Sequence, residues 1–88
     1  MRNPASGAQF RRYVKLAQKR GKDMAKLREV ILLLIERSSL PARYKDHALG
    51  GDWKQFRDCH IEPDWLLIYK IVGDYLDLFR TGTHSDLF

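Results

Sequence analysis

Apolar residues between positions 8 and 20 recur as Phe10, Tyr13, Val14 and Ala17, the i, i+3, i+4, i+7 spacing of one helical face. Ser6 stands where an N-cap is expected and Gly21 where the helix should stop. Opposite the apolar stripe the wheel places Arg11, Lys15, Gln18 and Lys22, so the helix is predicted to expose a basic face. Asp23 can cap a second helix running to about Arg37, with Leu27, Val30, Ile31, Leu34 and Ile35 on a broad face for burial. The break at Gly21 makes the two an antiparallel hairpin.

Beyond it the period is lost. Pro41 and the Gly50-Gly51 pair mark Ser38 to Gly51 as a loop. Three strands are then predicted: Trp53 to Ile61, ended by Pro63; Trp65 to Val72; and Tyr75 to Thr81 after a Gly73-Asp74 turn. The middle strand is almost wholly apolar, as expected where both faces are covered. Residues 1–6 could add an edge strand, which Pro4 disfavours. The expected fold is α+β: one domain over residues 1–88, with a helix hairpin on one face of an antiparallel sheet of three to four strands.

Composition narrows the class. At 88 residues, 44% hydrophobic and 31% charged, the chain reads as a single globular domain. The longest apolar run, Val30 to Ile35, is far too short for a membrane span, and no signal peptide is visible after Met1. One cysteine, Cys59, excludes an internal disulfide and fits a reducing cytoplasm. The net charge of +5 is unevenly spread: residues 1–45 carry +9 and residues 46–88 carry −4. A basic half points to a polyanionic partner, nucleic acid above all, although a solvated helical face that keeps a small protein soluble has the same signature.

The acidic half holds the candidate chemistry: His47, His60, Asp64, Arg80 and His84, each in a loop or near a strand end. An imidazole can give or take a proton near neutral pH, a carboxylate can hold one imidazole tautomer, and a guanidinium can clamp a phosphate. Base, acid and clamp are the parts of metal-free RNA cleavage. Plainer roles fit the same residues: His47 satisfied by Asp46, Asp64 opening a turn, Trp53 and Trp65 as core. Strand parity puts Arg80 with Leu76 and Leu78 without settling whether it is accessible. Three histidines and one thiol lack ligand-pair spacing, so no metal or other cofactor is expected.

Four segments in order, Lys15–Arg20, Tyr44–Leu49, Trp53–Trp65 and Arg80–Phe88, resemble the YafQ-type toxins of the RelE/ParE superfamily. The resemblance spans about residues 13–88 and implies a small ribonuclease that cuts messenger RNA in the ribosomal A site. It also implies a DinJ-like antitoxin, with operator DNA bound only by the toxin–antitoxin complex. The matching functional positions are His47, His60, Asp64, Trp65, Arg80, His84 and Phe88, with Trp65 and Phe88 on the substrate. Asp64 with His84 is favoured for proton transfer, His47 and His60 for base or phosphate positioning, and Arg80 for transition-state charge. The basic face, Arg11, Lys15, Lys19 and Lys22, would dock on ribosomal RNA. A ParE-like inhibitor of DNA gyrase and a non-catalytic RNA-binding module are the alternatives; neither needs three histidines together with Asp64.

Overall fold

The structure, a computed structural model, describes residues 1–88. A short strand β1 (Asn3–Ser6) leads into helices α1 (Ala8–Lys19) and α2 (Met24–Ile35). Strands β2 (His47–Ala48), β3 (Arg57–Glu62), β4 (Trp65–Val72) and β5 (Tyr75–Gly82) follow, and a single-turn helix α3 (His84–Leu87) ends the chain. The sheet order is β1-β5-β4-β3-β2, antiparallel except that β1 runs parallel to β5.

The expected α+β class holds, but the sheet has five strands and is mixed, and the helical pair follows a strand rather than opening the chain. Both additional strands lie at edges. Pro4 is tolerated in β1 because an edge strand can leave a missing N–H on its open side. β2 is two residues long, too short to leave any periodicity. Ser6 is consumed by pairing with Leu78, so α1 is capped by Gly7 and not by the serine. Asp23 does cap α2, its carboxylate accepting from the Ala25 N–H at 3.0 Å. Gly21, at φ +77°, supplies the left-handed turn that ends α1. The first long strand begins only at Arg57, because Gly51–Trp53 forms a 3-10 turn.

The main core lies between the helices and one sheet face. Phe10, Ala17, Leu27, Val30 and Leu34 pack on Cys59, Trp65, Leu67, Tyr69, Leu76 and Leu78. The other face carries a smaller cluster of Leu66, Ile68 and Leu87, flanked by Tyr13, Leu49, Phe56 and Phe79. Thus Trp65 to Tyr69 of β4 are buried on both sides, as the sequence predicts, but Ile71 and Val72 at its end are exposed, and only one side lies under long helices.

Candidate active site

Directly opposed residues in a sheet share a face. His47 opposes Asp58, Asp58 opposes Ile68, and Ile68 opposes Arg80, so one row crossing four strands sets an imidazole, a carboxylate and a guanidinium on the smaller-cluster face. His60, two residues from Asp58 and opposite Leu66, joins them. The position of Arg80 depends on a β-bulge. Leu78 opposes Tyr69 but Arg80 opposes Ile68, leaving Phe79 as an extra residue. The bulge inverts the simple alternation, so Arg80 parts from Leu76 and Leu78 and leaves the helix-covered side.

The histidines form a chain, with ring centroids 6.4 Å apart for His47–His60 and 5.7 Å for His60–His84. His84 opens α3, whose capping box pairs Thr83 and Asp86 reciprocally. Asp64, in the turn between β3 and β4, receives both the backbone N–H of His84 at 3.0 Å and its Nδ1 at 2.6 Å. These two bonds hold the Asp64 carboxyl below its ordinary range, the backbone donor contributing most. An ionised carboxylate can only accept, so the His84 proton lies on Nδ1 and Nε2 is left for a ligand. His47 is fixed in the same sense: its Nδ1 donates to the Lys45 carbonyl at 2.8 Å.

Asp58, which sequence reasoning missed, is 5% exposed, and its Oδ1 has no hydrogen-bond partner. That oxygen lies 3.4 Å from His47 Nδ1 and 3.9 Å from His60 Nε2. The available signal was its i, i+2 spacing to His60 around buried Cys59, whose thiol is pushed up to about 12 by burial. The Arg80 guanidinium stacks over Phe79 at 4.9 Å and Trp53 at 5.1 Å, and its Nε is also buried without a partner. Two unsatisfied polar atoms on one open face are costly unless a ligand engages them. Trp53 therefore belongs to this site, as an aromatic bed for Arg80.

The remaining expected residues divide. Phe88 is 63% exposed and meets Trp53 edge-on at 6.3 Å, so its ring can reach a ligand. Trp65 cannot: it is 1% exposed in the main core, its Nε1 donating to Thr81 Oγ1 at 3.0 Å. Arg11, Lys15 and Lys19 are exposed on α1. Lys22 leaves that face, because it lies beyond the helix, bonded to Glu62 at 3.1 Å with its ammonium over the Trp65 ring. No three His, Cys, Asp or Glu side chains converge as a metal site.

Residues 2–88 match the family described as bacterial toxin of type II toxin–antitoxin system, YafQ. The mRNA interferase toxin YafQ of Escherichia coli K12 is 57% identical over 81 residues, 91% of this chain and 88% of that protein. Crystal structures of E. coli YafQ, alone and in a DinJ–YafQ complex, are 52% and 53% identical. They superpose with TM-scores of 0.94 and 0.93, each over 100% of this chain and 99% of the other. A metal-bound toxin from Helicobacter pylori is 39% identical with a TM-score of 0.93 over the whole of both chains. Sequence and fold agree over the full length, and the chain belongs to the YafQ family of type II toxin–antitoxin toxins.

Proposed function

We propose that this protein is an mRNA endoribonuclease that acts in the ribosomal A site, cuts without a metal, and is neutralised by a DinJ-like antitoxin. The observation that carries the reading is the chain of three imidazoles on an open sheet face, beside the unpartnered oxygen of Asp58 and the unpartnered Nε of Arg80. The name of the E. coli relative, an mRNA interferase toxin, points the same way, as does the DinJ bound to E. coli YafQ. Operator DNA would be bound by the toxin–antitoxin complex, and the cytoplasm, where messages are translated, is the compartment.

In the reaction a base takes the proton of a ribose 2′-hydroxyl, and the oxygen attacks the adjacent phosphorus. The bond to the 5′-oxygen breaks, and an acid protonates that oxygen. The products are a 2′,3′-cyclic phosphate and a 5′-hydroxyl. His84, held through Nδ1 by Asp64, exchanges its proton at Nε2. A proton taken up at Nε2 of His60 would lie 3.9 Å from the Asp58 oxygen, and a charge gained by the His47 ring at its free Nε2 would be faced by the same oxygen, 3.4 Å from Nδ1. Arg80, seated over the Trp53 and Phe79 rings, meets the charge that builds on the phosphoryl oxygens. Arg11, Lys15 and Lys19 supply contacts to ribosomal phosphates; Lys22, engaged with Glu62, does not.

Mapping the ends of a translated message with purified ribosomes tests this reading. Wild-type protein should produce 5′-hydroxyl ends, and His84→Ala should cut at least ~10²-fold more slowly at an unchanged unfolding midpoint. Intact message with wild-type protein, together with inhibited DNA supercoiling, would favour the gyrase reading instead.

A further inference from the structure

β2 pairs with β3 only at Arg57 and Asp58, so the β3 edge from His60 to Glu62 has no strand beside it. A groove of about 440 Å³ lies there, walled by α2, the 3-10 turn Ala42–Tyr44 and the end of β3. His60 is one of its lining residues, so the groove runs along the strand that carries the middle imidazole of the chain. Its charged lining consists of Lys26, Glu29, Arg43, Lys45 and Glu62.

These charges are not equivalent. Glu62 is engaged by Lys26 at 2.9 Å and Lys22 at 3.1 Å, and the two ammonium groups hold its carboxyl below the ordinary range, Lys26 foremost. Arg43 and Lys45 have no carboxylate partner. Arg43 lies over the Tyr44 ring at 4.7 Å and donates through Nη2 to the Tyr44 hydroxyl at 3.1 Å, which orients the guanidinium and leaves its other donors free. Lys45 is exposed and sits at φ +49°, a conformation that disfavours any residue with a Cβ. Its carbonyl accepts from His47 Nδ1, and the residue lines the groove. Backbone strain of this kind is concentrated at ligand clamps and active sites. Glu29 is the one unpaired carboxylate in the wall.

We propose that this groove is a subsite for the message strand itself, in which Arg43 and Lys45 hold the phosphate that neighbours the scissile one. The proposal rests on the endoribonuclease reading and adds to it where the strand runs: past His60, along the open edge of β3, and away from the Arg80–Trp53 bed. An oriented guanidinium and a second cation without a carboxylate partner, on a groove that His60 also lines, suit a phosphodiester, and an open edge admits a chain rather than a closed small molecule.

The test is a cycle between protein charge and substrate charge. Arg43→Gln/Lys45→Gln removes both charges while keeping a polar side chain at each surface position. On programmed ribosomes it should lower kcat/KM on the order of 10-fold, the scale of lost charge-assisted contacts. A neutral methylphosphonate, placed in turn at each phosphate flanking the cut, should slow wild-type protein by a similar factor at one of the two positions. At that position it should slow the double variant no further, because the shared contact is already gone. Glu29→Gln should raise kcat/KM or leave it unchanged. Losses that simply multiply, a variant that cuts like wild type, or a double variant that fails to bind ribosomes carrying no message would each overturn the subsite. If wild-type protein cuts no message, the enzyme reading falls and this inference with it; if it cuts but the cycle multiplies, only the subsite falls.

Discussion

The two faces of β4 meet polar groups in opposite ways. On the helix side the polar atoms of β4 are matched: Trp65 donates to Thr81, Thr81 donates to the Leu66 carbonyl at 2.7 Å, and the Tyr69 hydroxyl donates to Asp46 at 2.6 Å. Arg57 completes that last group with two bonds to the Asp46 carboxylate, and burial pushes the Tyr69 hydroxyl well above its ordinary range. On the other side Ile68 lies between Asp58 and Arg80, each with a buried atom that bonds to nothing. The first face satisfies the polar atoms of β4, leaving Arg2 Nε beside Leu34 without a partner, and supplies stability. The second leaves two such atoms around β4 itself, and under the proposed function what it gives up in stability is available as binding energy for a charged substrate.

Breaking the helix-side face should have the largest effect on folding. Trp65→Ala removes a large, fully buried ring and the N–H that Thr81 Oγ1 accepts, and should lower unfolding free energy by ~3–5 kcal/mol in denaturant titrations. A loss under about 1 kcal/mol would mean that this face is not the stabilising one. Asp58→Asn should separate the two faces. It removes an uncompensated buried charge, so stability should stay level or rise, while ribosome-dependent cleavage falls by ~10-fold or more. A drop in unfolding midpoint like that of Trp65→Ala would erase the distinction.

The smallest effect concerns the tie that seats α3 on the open face. Arg20 bonds to Asp86 at 2.6 Å and, with the Thr83 N–H, lowers its carboxyl from 3.8 to about 2. A lowered carboxyl stabilises the folded state above its unfolded value, and the contribution is lost as pH falls through the folded one. The stability difference between wild type and Asp86→Asn should therefore be full above 3.8 and fade towards about 2, followed by chemical denaturation across that window. A difference independent of pH would mean the carboxylate's charge is irrelevant to seating α3.

What the sequence discloses follows the range of the force involved. The helical stripes, the Asp23 cap and the apolar run of β4 are written in consecutive residues, and the structure reproduces them. β1 and β2 exist through pairing with distant strands, which leaves no periodic trace in two to four residues. The histidines, Asp64 and Arg80 read as scatter until the resemblance groups them, because convergence over a sheet is a tertiary fact. Trp65 shows the limit of that guide: the resemblance places it on the substrate, but the fold closes it inside the core. Asp58 passed unremarked because an acidic residue in a strand carries no sign of burial by itself.

The extra residue in β5 works as a change of phase within one strand. Before Phe79 the even-numbered positions, Leu76 and Leu78, belong to the helix side; after it the odd-numbered Thr81 does, and Arg80 is released to the open face. A single strand thereby writes into both sides of the sheet in succession. Unbroken alternation through all eight residues of β5 would turn a guanidinium toward the apolar core and carry the Thr81 hydroxyl away from Trp65, whereas removal of Phe79 itself would leave Arg80 opposite Ile68 and Thr81 opposite Leu67.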